Sequence, residues 1–485
     1  MAARFQFEHS LDFAPSHAAE TLRAIPALPG VFALHGADPN AQPYLTRAAD
    51  LRRRITRILA PPQIQADAAG PSPLSKRLNL STRVARIDFT VTGSEFESTL
   101  ALYHASAQIF GLDEARRRLK LRTPFFLRFS AENNYPRLYS TNRLSRRALA
   151  HTYGPFPSRA AADRYCDAVL DLFLLRRCHE ELHPAPDHPG CIYGEMGKCL
   201  APCNQAQIPA KAAAYSAEAA AVEAFLDSRG ESLLAPLIAQ REQASASLDF
   251  ERAADLHAQI EKIKAALALA PELVAPIPRL GAILVQKSAQ KGAQDSGPEQ
   301  SNSVILSEDA IPQEGIASQS KDLRLEEPTA ALYFLHSGCL IGPARLSTLG
   351  VRAVREQTAV GSSLFAQPLM LEAVPLAEDA NATPLAPTPV ESPEARAAAT
   401  IASLEAQAAE PTDLATLSDH LSLLRRWYYR PEKQRVGEVF FPRDDGSWPL
   451  RRILRGAARI TLGEPATLPD VRRDLAEKNP TDKVR

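Results

Sequence analysis

The sequence predicts an α+β chain of several small domains joined by linkers, and three observations lead there. Its 485 residues correspond to about three domains at the usual ~150 residues each. Hydrophobic residues make up 45%, enough to bury a core in each. Proline is abundant at 39 residues while glycine is sparse at 22, which favours proline-punctuated linkers between helical pieces over a glycine-rich barrel. No apolar run approaches the ~18 to 20 residues that span a bilayer, and the opening MAARFQFEHSLDF lacks the apolar centre of a signal peptide, so a cytoplasmic protein is expected. With 56 basic against 56 acidic residues the chain is not a globally basic nucleic-acid binder, and any cationic surface must be local.

Taken in order, residues 30–35 predict a strand, Tyr44 lies in a second, 51–59 predict a helix and 84–91 another strand, together a small α/β unit. Residues 111–150 then carry ten basic side chains against three acidic ones, interleaved with Phe125, Phe126, Phe129, Tyr135 and Tyr139. Cations that neutralise phosphates beside rings that stack on bases suit nucleic acid. A strand with inward aromatics and solvated arginines fits the same pattern. A helix is expected over 158–177, with Ala162, Val169, Leu172, Phe173 and Leu175 on one face. Residues 211–268 read as antiparallel helices, with Gly230 as a stop and Ser247 or Asp249 as a cap. Beyond Pro271, LGAILVQ and ALYFLHSGCLIGPARL predict strands of a small sheet, separated by a polar insert read as disordered. A Pro/Ala-rich linker follows, then a helix over 417–430, a strand at GEVFF and a short helix from Pro449.

Four of the six cysteines, Cys178, Cys191, Cys199 and Cys203, fall in the pattern C-x12-C-x7-C-x3-C, which points to a metal. Four thiolates complete either a zinc site or an iron–sulfur cluster, and spacing alone leaves both open. Only the x3 pair has the knuckle spacing usual for zinc, so an iron–sulfur cluster, of the four-iron type, is expected in preference to zinc. Cys166 and Cys339 sit among apolar residues and read as core.

GPFPS at 154–158, FLLRRC ending at Cys178, the cysteines with KCLAPC, and LDFERAADLHAQI at 248–260 together resemble UvrC-type subunits of the bacterial nucleotide-excision-repair excinuclease, over about residues 20–268. The resemblance implies a GIY-YIG nuclease fold at the N-terminus. Phe32 then stands for the family's first tyrosine, Tyr44 for the second, Thr46 for a glycine, Arg47 for a lysine, and Arg54 for the helix arginine. In active members the tyrosine helps activate water, the arginine stabilises phosphate charge and a helix glutamate holds a divalent metal. Leu102 falls at that glutamate. Glu95 and Glu97 precede it by seven and five residues, Glu95 on the same helical face about two turns away and Glu97 offset. Phosphodiester hydrolysis without the metal leaves developing charge uncompensated, so no magnesium or manganese and no incision are expected at Tyr44 and Arg54.

The helix at 249–268 resembles the UVR motif, the hairpin through which UvrC-type and UvrB-type subunits pair; Phe250, Ala253, Ala254, Leu256 and Ile260 offer its apolar surface, and an ordinary intramolecular hairpin is the alternative. His257 and Ala258 depart from the motif's usual polar pair. The family's RNase H-like domain and helix-hairpin-helix motifs have no counterpart in 271–485. Trp427, Tyr428 and Tyr429 beside Arg425, Arg426 and Arg430 suit either base stacking or a packed terminal helix.

The expected organisation is a degenerate GIY-YIG-like domain (20–110), a basic aromatic-rich segment (111–165), a four-cysteine segment (166–210), a UVR-like hairpin (211–270), a small β unit (271–375) with a disordered insert (288–328), a linker (376–411) and a helix-strand-helix unit (412–485). The expected function is excision DNA repair, in an SOS-response setting, without nuclease activity. DNA would be held through Arg47, Arg116, Arg117, Arg118 and Lys120, a UvrB-type partner through the hairpin, and no membrane would be involved. Two alternatives stand beside it: an active metal-dependent endonuclease using Tyr44, Arg54 and Glu95 or Glu97, and an interaction protein whose metal cluster is a switch without a DNA role.

Overall fold

The computed structural model describes residues 5–38, 40–59, 80–205, 208–289, 328–351, 392–408, 413–431 and 434–463. Most of the expected insert at 288–328, and the first part of the expected linker, lie outside these residues. Among the described residues no helix is long and apolar enough to cross a membrane.

The first sheet has the order β1 (His9–Asp12), β4 (Val84–Val91), β2 (Gly30–Gly36), β3 (Tyr44–Ala48), every pair antiparallel. It therefore begins before residue 20, the boundary expected from sequence. Alternation along β2 sorts its two faces: Phe32 and Leu34 pack with α1 (Ala18–Ala24) and α2 (Leu51–Leu59), while Val31 and Ala33 pack with Leu45 and Ala105 of α3 (Glu95–Phe110). In α2, Leu51, Ile55, Ile58 and Leu59 form the buried stripe and arginines fill the remainder. Ser94 caps α3, its hydroxyl accepting from the Glu97 amide at 3.1 Å.

The basic aromatic segment is not a separate piece. Its first part is α4 (Leu112–Leu119), packed on α3; the rest is β5 (Phe125–Phe129), β6 (Leu138–Thr141) and β7 (Thr152–Phe156) of a second sheet, ordered β6-β5-β7-β8 with β8 at Ala275–Pro276. Helix α5 (Arg159–Leu170) covers this sheet and ends seven residues short of the expected 177. The cause is local: Arg177 turns back and donates to the Leu170 carbonyl and the Asp171 carboxylate, each at 2.7 Å, capping the helix it was expected to extend. Two short helices, α6 (Ile192–Glu195) and α7 (Pro202–Gln205), carry the cysteine segment into α8 (Pro209–Asp227). Helices α9 (Glu231–Ala246) and α10 (Phe250–Leu267) form the hairpin, and their buried side shares one core with α5, α8 and β5–β7.

The third sheet runs β11 (Cys339–Ser347), β10 (Thr329–His336), β9 (Gly281–Lys287), β12 (Glu438–Phe440). Two expected units, 271–375 and 412–485, thus merge into one, because β12 pairs with β9 through Val439↔Leu284. The expected linker is also corrected: Pro393–Ala406 is a helix, α11. Ser392 caps it, and Ala397, Ile401 and Leu404, spaced i, i+4, i+7, bury against this sheet beside α13 (Leu450–Leu462). On the opposite face lies α12 (Leu414–Tyr428), which shares a core with Phe96, Leu100 and Tyr103 of α3. The approach is close at Gly93, where a Cβ would fall 2.1 Å from the Lys287 carbonyl oxygen.

Candidate functional site

Tyr44 and Leu102, two of the residues matched to a nuclease centre, lie on opposite faces of the first sheet. Tyr44 is half-buried on the α2 face of the first sheet, its ring 6.3 Å from Phe32. Leu102 packs on the opposite face, with Val31, Ala33 and Leu45. Arg54 is exposed on α2. Of the carboxylates on α3, Glu95 is held by two cations: Arg47 donates to it at 3.0 Å, and Arg430, from just beyond α12, at 2.6 and 3.1 Å. These bonds, Arg430's first, hold its pKa down to about 2. Glu97 points the other way. It accepts from the Gly93 amide at 2.7 Å and lies against the buried Tyr333, and burial pushes its pKa up to about 6. The Arg430–Glu95 pair joins residues 335 apart, a relationship no local pattern announces.

The expected DNA contacts are largely engaged within the chain. Arg47 also donates to Thr99 at 3.1 Å. Arg116 donates to Asp419 at 2.9 Å and to Asp113 at 3.1 Å. Arg117 and Arg118 both pair with Glu114, and the Arg118 guanidinium lies 3.8 Å from the Phe110 ring centre. Lys120 is exposed and has no ion-pair partner among the described residues. Phe126 and Phe129 are buried, which favours the core reading of that strand.

The aromatic and basic residues at 425–430 are likewise internal. Trp427 is 4% exposed, Arg425 donates to the Pro157 carbonyl at 2.8 Å, Arg426 to that of Leu119 at 2.6 Å, and Tyr429 to that of Pro155 at 2.7 Å. This corrects the base-stacking reading: the helix end is a clamp on the second sheet and α4.

The four cysteines are free thiols; Cys199 and Cys203 are buried, Cys178 and Cys191 half-buried. Each lies near enough for its charge to act on Cys199. The Ala201 amide donates to the Cys199 sulfur at 3.3 Å and Arg176 to that of Cys178 at 3.5 Å, the contacts that stabilise ligating thiolates. Among the described residues no group of three or more His, Cys, Asp or Glu side chains is drawn together tightly enough to hold a metal ion as it stands. By chemistry, four thiols in one segment suit a soft-metal cluster once deprotonated, although without a metal burial pushes the Cys199 thiol up to about 11 and that of Cys203 up as well.

At the hairpin turn Asp249 caps α10 by accepting from the Arg252 amide at 3.2 Å. Leu248, with a left-handed φ of 62°, and Phe250 project outward, 71% and 67% exposed. Ala254 is exposed and Ala253 half-buried, whereas Leu256 and Ile260 are buried within the chain's own core. The expected partner surface therefore divides into an available tip and an internal seam.

Residues 125–225 match the family "UvrC/Cho excinuclease, middle domain", and 231–266 match the "UvrB/uvrC motif". The chain is 27% identical to UvrABC system protein C of Aliivibrio salmonicida over 236 residues, 49% of this chain and 36% of that protein. It is 27% identical to the protein of the same name from Photobacterium profundum (53% of this chain, 39% of that protein). With the one from Klebsiella pneumoniae the identity is 28% (50% and 37%). The matched region thus covers less than half the length of these relatives. No solved structure matches the chain.

Proposed function

We propose that this chain is a nucleotide-excision-repair protein that binds DNA and a UvrB-type partner without cutting DNA at its N-terminal domain. The middle-domain and UvrB/uvrC-motif matches support the repair role. The observation that carries the silent-nuclease reading is the commitment of both α3 carboxylates, Glu95 to Arg47 and Arg430, and Glu97 to Gly93 and the third sheet. A carboxylate already neutralised by two guanidiniums is a poor ligand for a divalent cation, and without that cation the oxyanion has no compensating charge.

Cys178, Cys191, Cys199 and Cys203 would hold an iron–sulfur cluster, which would brace the loop between α5 and α8. Protein purified without oxygen should be brown; a colourless preparation with one zinc per chain would refute iron. Leu248 and Phe250, with Ala254, would dock the partner.

Incubating the full chain with nicked and lesion-bearing duplexes plus magnesium or manganese should give no incision. Metal-dependent cutting abolished by Tyr44→Phe would overturn the silent-nuclease reading.

A further inference from the structure

Helix α13, LRRILRGAARITL, carries four arginines and no acidic residue. Arg459 turns inward and binds Glu438 through two hydrogen bonds of 3.0 and 2.6 Å. Arg451, Arg452 and Arg455 are exposed and, at i, i+1 and i+4, form one stripe. Arg451 comes no nearer than 3.6 Å to Glu394 and keeps 82% of its side chain in solvent. Arg452 and Arg455 have no ion pair among the described residues. On α4, by contrast, every arginine is paired with a carboxylate.

We propose that the outer face of α13 is a contact for the phosphate backbone of DNA, an inference that rests on the repair reading above and adds a binding surface to it. Guanidinium groups bind phosphate oxygens in bidentate fashion, and Arg452 and Arg455, with no ion pair among the described residues, are free to do so. The helix is firmly seated: Ile453, Leu454, Ala457 and Ile460 lie in the third sheet's core, and at Gly456 a Cβ would fall 2.6 Å from the Phe440 ring. That seating also decides between two anionic partners. An interfacial helix gains most of its membrane affinity by inserting an apolar face, and the apolar face of α13 is already consumed inside the protein. DNA asks only for the charged side.

The test titrates full-length protein against a fluorescent duplex over a salt series, comparing the wild type with Arg452→Gln/Arg455→Gln. Each lost phosphate contact lowers the slope of log affinity against log salt by about 0.9, so the double variant should bind more weakly with a slope reduced by about 2. Its thermal unfolding midpoint should match the wild type, since both side chains are exposed. A wild type that binds with steep salt dependence and a variant with the same slope would overturn the α13 contact alone. A wild type with no salt-dependent binding would overturn the repair reading together with it. Equal or stronger capture of α13 by vesicles of anionic phospholipid, lost in the same variant, would replace DNA with a membrane surface and also overturn the proposal.

Discussion

Arg430 donates two hydrogen bonds to Glu95, at 2.6 and 3.1 Å, and so ties the end of α12 to the start of α3. The folded pKa of Glu95, about 2, lies below its ordinary 4.5. Its contribution to stability is therefore complete above pH 4.5 and lost as pH falls from 4.5 towards 2. Because half the Glu95 side chain is in solvent, screening reduces that contribution to about 1 kcal/mol. Arg430→Gln should lower stability by that amount in denaturant titrations at neutral pH. An unchanged midpoint would show that the pair contributes nothing.

A larger acid sensitivity is expected from His104 and His420, whose rings lie 5.7 Å apart between α3 and α12. Burial lowers their pKa values to about 4 and about 3, and at His420 a charge on His104 lowers it further. Neutral in the folded state and protonated when unfolded, each stabilises the fold fully above 6.5 and progressively less as pH falls below it. The slope is about 1.4 kcal/mol per pH unit for each group. Glu97 works in the opposite sense, since its pKa of about 6 stands above the ordinary 4.5 and protonation relieves its burial. Two histidines outweigh one carboxylate, so urea midpoints should fall between pH 6.5 and pH 5. His420→Gln should flatten that fall, and a steep fall retained in the variant would assign it elsewhere.

Local features of the fold were legible in the sequence, and long-range ones were not. Helix Leu51–Leu59 and strand Val84–Val91 follow from apolar spacing alone, because each buries one face against its immediate neighbours. Helix Pro393–Ala406 carried the same signal in Ser392, Ala397, Ile401 and Leu404, masked by a flanking composition rich in proline and alanine. The cysteine spacing gave no sign that Arg176 and the Ala201 amide would donate to the sulfurs of Cys178 and Cys199. Whether Arg425 and Arg426 face solvent or a carbonyl depends on partners 268 and 307 residues away, which no window on the sequence contains. The stripe on α13 was hidden for the same reason: only the pairing of other arginines sets Arg452 and Arg455 apart.

The junction between the first and third sheets should be intolerant of even one added methyl group. A Cβ at residue 93 would meet Lys287, Ser288 and Ala289 backbone atoms at 2.1 to 2.5 Å, and backbone yields less readily than a flexible side chain. Gly93→Ala should destabilise the chain by about 1 to 3 kcal/mol, the usual effect of overpacking. Calorimetry that finds the variant as stable as the wild type would mean that the two sheets do not meet there.

The hairpin offers a way to separate partner binding from folding. Leu248 and Phe250 are exposed at the tip, so Leu248→Ser/Phe250→Ser removes apolar surface that the folded chain does not use. Its unfolding free energy should stay within the usual ~0.5 kcal/mol of a surface change, while capture of a UvrB-type partner should be lost. Ile260 is completely buried among Val222, Phe225 and Ile263, and Ile260→Ala should cost about 2 to 5 kcal/mol through the cavity it leaves. If the tip variant still captured the partner with unchanged affinity, docking through the turn would be wrong. If it unfolded as readily as Ile260→Ala, the tip would be part of the core. The contrast matters because both changes fall in one helical hairpin, and only their difference in burial predicts that one disrupts assembly and the other the fold.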